Sequence, residues 1–169
     1  KSENYFRLVM PSKKKNLSKQ NNPEKIPSAE KFRFAIVVSS WNAEITEALY
    51  EGAYTTLVQY GAQLKNISRL NVPGSFELPF GAQTVQKGAD AVICLGCVIQ
   101  GETRHFEFIC NTVAQGITNV GLKFNKPVIF GVLTTNTYLQ AIERSGGKRG
   151  NKGVEAAVTA IKMAALKNN

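Results

Sequence analysis

The single histidine of the chain, His105, lies where an imidazole can take part in chemistry. It follows a nearly unbroken apolar run, Asp90 to Ile99, and a short polar turn, and such a run is typical of a strand buried on both faces. Apolar residues then recur three and four positions apart, which predicts a helix with His105 in its first turn. These residues are Phe106, Ile109, Val113, Ile117 and Val120. Ligands bind at the carboxyl ends of such strands, and helix-start amides attract anions. We therefore expect His105 to exchange a proton with a phosphorylated small molecule; the alternative is a histidine that only hydrogen-bonds locally.

Residues 31–169 alternate between strand-like and helix-like segments. The expected strands lie near residues 32–38, 67–72, 91–99 and 127–133. The expected helices lie near residues 43–60, 77–87, 104–122 and 138–145, with a last helix after residue 150. Asn42 is the expected N-cap of the first helix and Gly61 its stop. This order predicts an α/β fold, a three-layer αβα sandwich whose four-stranded parallel sheet is flavodoxin-like.

The composition is that of one globular domain, with 43% hydrophobic and 20% charged residues. Part of the net charge of +9 lies in residues 1–30, which hold seven Lys or Arg and three Glu. Their low hydrophobicity predicts a basic, mobile N-terminal tail ahead of a single catalytic domain, residues 31–169. No apolar run reaches the roughly 18 residues that a membrane span needs, so we expect no membrane partner.

A second basic cluster lies near the C-terminus. It suits a small anionic substrate, although most charge clusters are only solvated surface. An RNA-binding signature with interleaved aromatic residues is missing, which makes a nucleic-acid partner unlikely. The cluster consists of Arg144, Lys148, Arg149 and Lys152.

Cys94 and Cys97 form a C-x-x-C pair inside a predicted strand. A three-residue offset in a strand directs the two side chains to opposite faces. We therefore expect small core residues in a reducing compartment, and neither a redox centre nor a metal site.

Other strand-to-helix loops must open at the same sheet edge as His105. One holds Trp41, whose indole can stack on a planar heterocycle, although a lone tryptophan more often packs in a core or at a subunit interface. The next offers the amides of Ser75, the ring of Phe76 and the carboxylate of Glu77, which can equally serve only the helix dipole. The last holds Arg144, a residue type suited to binding phosphate with two hydrogen bonds.

Four motifs follow one another along the chain: PGSFELP, GCVIQGETRHFEF, KPVIFGVLT and QAIERSGGKRGNKGVEAA. Together, from about Phe32 to Leu166, they closely resemble the lumazine synthase family, which makes 6,7-dimethyl-8-ribityllumazine in the penultimate step of riboflavin biosynthesis. The resemblance implies a transferase that condenses 5-amino-6-ribitylaminouracil with 3,4-dihydroxy-2-butanone 4-phosphate. Phosphate and water are released, and no metal or organic cofactor takes part.

The resemblance also implies residue roles. Trp41 stacks on the pyrimidine, and Phe130 of a neighbouring subunit closes the stack from the other side. His105 is the general acid–base residue, and Arg144 is the cation for the phosphate. The other implied substrate-binding residues are Asn42, Ser75, Phe76, Glu77, Cys97, Val98, Ile99, Glu102, Thr103 and Lys152.

Two positions depart from the commonest family pattern. Gln100 stands where many members have Arg, and the next turn reads Gly-Glu-Thr-Arg instead of Gly-Ala-Thr-Thr. Glu102 and Thr103 match the positions that hold the butanone phosphate through backbone amides. We expect the Glu102 carboxylate to oppose that anion and Arg104 to offset it.

A family site between subunits implies a homopentamer as the smallest active species. The short connection at residues 146–151 resembles members that form a hollow icosahedral shell, so we expect a 60-mer. Riboflavin synthase is an implied partner. Cytoplasm is the expected location, because the N-terminal segment, with one Arg and three Glu, fits a transit peptide poorly.

Two other functions stay open at this point. A catalytically impaired relative would bind flavin or lumazine without forming product. A nucleic-acid binder using the basic tail would lose affinity steeply with added salt.

Overall fold

The computed structural model describes residues 26–167. Most of the predicted tail, residues 1–25, therefore lies outside the described residues. Within residues 26–30, Ala29 is fully buried and its amide donates to the Tyr60 carbonyl at 2.8 Å. Packed structure thus begins before residue 31.

Strands and helices alternate along most of the described chain. In order they are β1 (Phe34–Ser39), α1 (Ala43–Gln59), β2 (Ile67–Val72), α2 (Leu78–Val85), β3 (Ala91–Ile99), α3 (His105–Phe124), β4 (Val128–Thr135), α4 (Tyr138–Arg144), β5 (Ser145–Gly147), β6 (Gly150–Asn151) and α5 (Lys152–Lys167).

The main sheet has four parallel strands in the order β2-β1-β3-β4. In β3, Ile93 pairs with Ile36 of β1 on one side and with Ile129 of β4 on the other. Because all four strands are parallel, their carboxyl ends meet at one edge. This confirms the predicted three-layer αβα sandwich.

Two hydrophobic cores lie on opposite faces of the sheet. One joins the sheet to α1, α4 and α5, and includes Leu49, Cys97 and Ile161. The other joins the sheet to α2 and α3, and includes Cys94 and Val113. The two cysteines therefore face opposite layers, as their offset predicts.

Two details differ from the expected elements. The helix expected over residues 77–87 is divided into a short 3-10 turn (Ser75–Glu77), α2, and a second 3-10 turn (Gln86–Gly88). The glycine-rich connection after α4 forms a small antiparallel hairpin, β5–β6, with Gly146 and Gly150 at positive φ. A run of glycine and charged residues carries no alternating apolar pattern, so this hairpin was not predictable from periodicity.

The packing of α5 on α1 predicts a large effect of one added methyl group. A Cβ at Gly153 would lie 1.9 Å from the Leu49 carbonyl oxygen, whereas a Cβ at Gly88 would meet no atom within 4 Å. We expect Gly153→Ala to lower the free energy of unfolding by about 2–3 kcal/mol, since overpacking forces backbone shifts. Urea denaturation at fixed protein concentration measures this effect. Gly88→Ala is the matched control, and equal losses in both variants would contradict the close approach.

Candidate active site

A cleft of about 320 Å³ opens at the carboxyl edge of the sheet. Loops after β1, β2 and β3 supply its walls, so residues far apart in sequence meet there. Of the predicted site residues it brings together Trp41, Asn42, Ser75, Phe76, Cys97, Val98, Ile99 and His105. Gly74 and Ile109 complete the lining. Ile109 follows His105 by one helical turn, which is the signal that places it on the same face.

The loop between β1 and α1 presents Trp41 to the cleft with 73% of its surface exposed. Its amide donates to the Pro73 carbonyl at 3.1 Å. Asn42 adopts a left-handed conformation, with φ of 58°, that asparagine tolerates better than most residues. The indole face is therefore open to a planar ligand.

Asn42 occupies the N-cap position of α1 but does not cap it as expected. Its side chain makes no hydrogen bond to the first-turn amides. Instead, its Nδ2 donates to the Cys97 carbonyl at 3.1 Å. The left-handed backbone is compatible with this bond, which ties the Trp41 loop to the end of β3.

The loop after β2 places its three predicted residues in different surroundings. Glu77 Oε2 accepts a hydrogen bond from the Gly74 amide at 2.9 Å, so the carboxylate stabilises the turn. Ser75 is buried, and its Oγ has no hydrogen-bond partner among the described residues. A Cβ at Gly96 would lie 2.6 Å from this oxygen, so glycine in β3 leaves room for it. Phe76 stays 53% exposed and offers a ring to the cleft.

His105 is the first residue of α3 and is exposed at the mouth of the cleft. Its backbone amide donates a hydrogen bond to Thr103 Oγ1 at 3.4 Å. Glu102 and Thr103 are exposed in the turn before it and do not line the cleft of one protomer. Arg104 forms an ion pair with Glu107 at 3.6 Å. The structure therefore gives Arg104 a carboxylate partner other than Glu102, and the offset of Glu102 by Arg104 stays a prediction.

The two thiols of β3 are expected to be unreactive at neutral pH. Burial raises the pKa of Cys94 to about 12 and the pKa of Cys97 to about 11, so neither forms a thiolate at neutral pH. Both are free cysteines.

Besides Glu77, Glu102 and Thr103, three more distant predicted residues do not line the cleft of their own protomer: Phe130, Arg144 and Lys152. Phe130 lies on β4, an edge strand, and packs partly against the core beneath α2 and α3. Arg144 ends α4, a helix that packs on the same face of the sheet as α1 and α5, and it does not line the cleft of its own protomer.

The carboxylate of Glu155 holds both cations of this group, a contact that the sequence did not reveal. Arg144 donates from its two terminal nitrogens to Glu155 Oε1 and Oε2 at 3.0 and 3.1 Å, and Lys152 Nζ lies 3.3 Å from Oε2. Arg144 also donates to the Arg149 carbonyl at 2.6 Å. These bonds fix the direction of the Arg144 guanidinium. The spacing of Lys152 and Glu155, three residues apart on one helix, was the available signal.

Neither a metal cluster nor a membrane helix is found in the described residues. Among residues 26–167, no group of three or more His, Cys, Asp or Glu can hold a metal ion. In the same range, no helix has both the length and the apolar character needed to cross a membrane.

Comparison with known proteins identifies the family of this site. Residues 31–168 match the model of the 6,7-dimethyl-8-ribityllumazine synthase family. The chain belongs to that family. This confirms the resemblance carried by the four sequence motifs.

Individual lumazine synthases match over most of both chains. One from Cytophaga hutchinsonii is 62% identical over 158 residues, covering 92% of this chain and 98% of that protein. One from Christiangramia forsetii is 52% identical, covering 91% and 93%. One from Phocaeicola vulgatus is 54% identical, covering 82% and 83%. All three are named 6,7-dimethyl-8-ribityllumazine synthase.

The Arg144–Glu155 pair predicts a pH-dependent contribution to stability. Burial raises the pKa of the Glu155 carboxyl, but the bonds and charges of Arg144 and Lys152 outweigh it and hold the pKa below its usual value. A lowered folded-state pKa stabilises the fold above the unfolded-state pKa, and this contribution is lost as pH falls through the folded-state value. We expect Glu155→Gln to lower the unfolding free energy by about 1.5–3 kcal/mol at neutral pH. The difference from the parent chain should shrink below about pH 4.5.

Glu143→Gln is the matched control, because Glu143 pairs with Arg149, which is 57% exposed. We expect it to change stability by less than about 1 kcal/mol. Denaturant titrations at several pH values measure both variants. A Glu155→Gln difference that does not change with pH would contradict the ionic role.

Proposed function

We propose that the cleft at the carboxyl edge is the active site in which this chain makes 6,7-dimethyl-8-ribityllumazine. The chain is a transferase of riboflavin biosynthesis: it condenses 5-amino-6-ribitylaminouracil with 3,4-dihydroxy-2-butanone 4-phosphate and releases phosphate and water. The observation that supports this location is the meeting of Trp41, Phe76 and His105 in one cleft. These side chains supply two aromatic faces and the only imidazole of the chain.

In this proposal the pyrimidine ring stacks on Trp41. Its exposed indole gives a flat apolar surface on which a heteroaromatic ring gains offset stacking. The ribityl chain then extends towards the loop of Ser75, Phe76 and Glu77. Because Glu77 is already bonded to the Gly74 amide, its remaining oxygen is directed by the turn and is preorganised for a hydroxyl group.

The phosphorylated substrate is assigned to the turn before α3. Its phosphate meets the amides at Glu102 and Thr103, where the positive end of the helix dipole favours an anion. His105 then lies beside the bound substrate, because it begins α3 and lines the cleft. A neutral imidazole has one donor and one acceptor nitrogen, so it can accept and return the protons of Schiff-base formation, phosphate elimination and ring closure.

A neighbouring subunit is assigned the rest of the site. Phe130, Arg144 and Lys152 lie outside the cleft of their own protomer, and β4, which carries Phe130, is an edge strand. Exposed apolar side chains such as Leu122, Leu139 and Phe108 favour burial against another copy. We therefore assign a homopentamer as the active unit and a 60-mer shell as its assembly. Association with riboflavin synthase and a cytoplasmic location complete this proposal.

Rate measurements separate the two central roles. We expect His105→Ala to lower kcat by about a hundredfold to ten-thousandfold without abolishing turnover, because substrate positioning still accelerates the reaction. We expect Arg144→Ala mainly to raise KM for the phosphorylated substrate. The lumazine chromophore, followed by absorbance with both substrates present, measures both effects above the uncatalysed rate.

Arg149→Ala is the matched control for Arg144→Ala, since it removes the same charge from an exposed position five residues away. We expect its KM to stay near that of the parent chain. An unchanged kcat in His105→Ala would remove the histidine from the mechanism. Tight lumazine binding with no acceleration by the parent chain would instead support a carrier.

Mixed assemblies test the shared site. Trp41→Ala and Phe130→Ala each remove one face of the stack, and we expect each to be strongly impaired alone. If the two faces come from different subunits, co-assembly by unfolding and refolding together restores about a quarter of the clefts. Activity of the mixture above the sum of the separate variants is the expected result. No gain after co-assembly, verified by mass spectrometry, would place both rings in one subunit.

A further inference from the structure

The hydrogen bond between Tyr138 and Glu44 lies beside the cleft and has no role in the assignments above. The Tyr138 hydroxyl donates to Glu44 Oε2 across 94 positions of sequence. Glu44 is in the first turn of α1, three residues after Trp41, and Tyr138 is the first residue of α4. The bond therefore joins the starts of two helices at the carboxyl edge of the sheet.

The Trp41 loop is also anchored to the ends of the two strands that flank β1. Ser40 and Trp41 donate from their amides to the carbonyls of Val72 and Pro73, at 2.8 and 3.1 Å, which fixes the loop to the end of β2. Asn42 fixes it to the end of β3. The α1 end of the loop, by contrast, meets α4 through Glu44 and Tyr138.

The surroundings of Tyr138 keep its phenol protonated, so that it remains the donor of this bond. The hydrogen bond to Glu44 raises the pKa of the Tyr138 hydroxyl, and loss of solvent and the Glu44 charge raise it further. The phenol therefore remains a donor at neutral pH.

We propose that Tyr138 is a positioning residue for the pyrimidine subsite, acting through Glu44 to hold Trp41 at the angle needed for stacking. This rests on the proposed role of Trp41 in binding the pyrimidine. A stacking platform gains affinity from being fixed before the ligand arrives, because the entropy of ordering it is then not lost on binding. Removal of the bond leaves Trp41 in place but mobile.

Trp41 provides its own probe, because it is the single tryptophan of the chain. In the unliganded assembly, we expect Tyr138→Phe to make Trp41 fluorescence more sensitive to quenching by acrylamide. We expect the Kd for 6,7-dimethyl-8-ribityllumazine and the KM for the pyrimidine to rise about threefold to tenfold, the range that the net contribution of one typical hydrogen bond gives. We expect KM for the phosphorylated substrate and kcat each to change by less than about twofold.

Variants of the acceptor distinguish this role from a structural one. Glu44→Ala should reproduce the effects of Tyr138→Phe, and Glu44→Gln, which keeps an acceptor oxygen, should restore most of the affinity. Tyr54→Phe is the matched control, since Tyr54 stacks on Tyr50 along α1, and it should leave every readout unchanged. If the variants lose only stability, with Trp41 quenching and lumazine affinity unchanged, the proposal is wrong.

Failure of the proposal can be told apart from failure of the proposed function. Acrylamide quenching of the unliganded chain reports Trp41 mobility whatever the protein catalyses. Increased quenching without a change in lumazine affinity would overturn the role of Trp41 in binding. Unchanged quenching in Tyr138→Phe and Glu44→Ala would overturn the positioning role, even in an active enzyme.

Discussion

The pairing of β3 with a strand on each side is the constraint on which the other features of the fold depend. β3 is buried over most of its length and bonds to β1 and β4 in a parallel register. Only its last residues, Val98 and Ile99, emerge partly from the sheet, and they line the cleft. At the same end, the Cys97 carbonyl accepts a hydrogen bond from the side-chain amide of Asn42. A rigid strand end thus sets the floor of the cleft and the position of its aromatic wall.

Much of this arrangement follows from the apolar pattern of the chain. The run at residues 91–99 coincides with β3, because a strand buried in a parallel sheet has a strong and continuous hydrophobic pattern. The segment at residues 67–72 coincides with β2, an edge strand in which apolar and polar residues are mixed. Parallel strands then require their loops to open at one edge, which is why Trp41, Phe76 and His105 could be expected to meet. The edge was therefore predictable before any side-chain position was known.

Other features depend on packing that a local pattern does not encode. The pairing of Arg144 with Glu155 is set by how α4 rests against the start of α5. The bond between Tyr138 and Glu44 joins helices separated by most of the domain. Asn42 is a residue type that often caps helices. Here its backbone is left-handed, and its side chain donates a hydrogen bond to the end of β3 instead. In each case a tertiary contact decides among local alternatives of similar energy.

The cleft and Arg144 lie on different parts of the protomer, and the proposed site needs both. Loops leading to α2 and α3 supply Phe76 and His105, which contact one shared cleft. The opposite layer carries Arg144, held by a buried carboxylate that directs the guanidinium and reduces the cost of keeping a cation there. A protomer built in this way has a partial cleft on one surface and an oriented cation on another. In the proposed assignment, assembly brings the cleft of one protomer and the Arg144 of another to one substrate pair, and catalysis then depends mainly on holding two reactive molecules together.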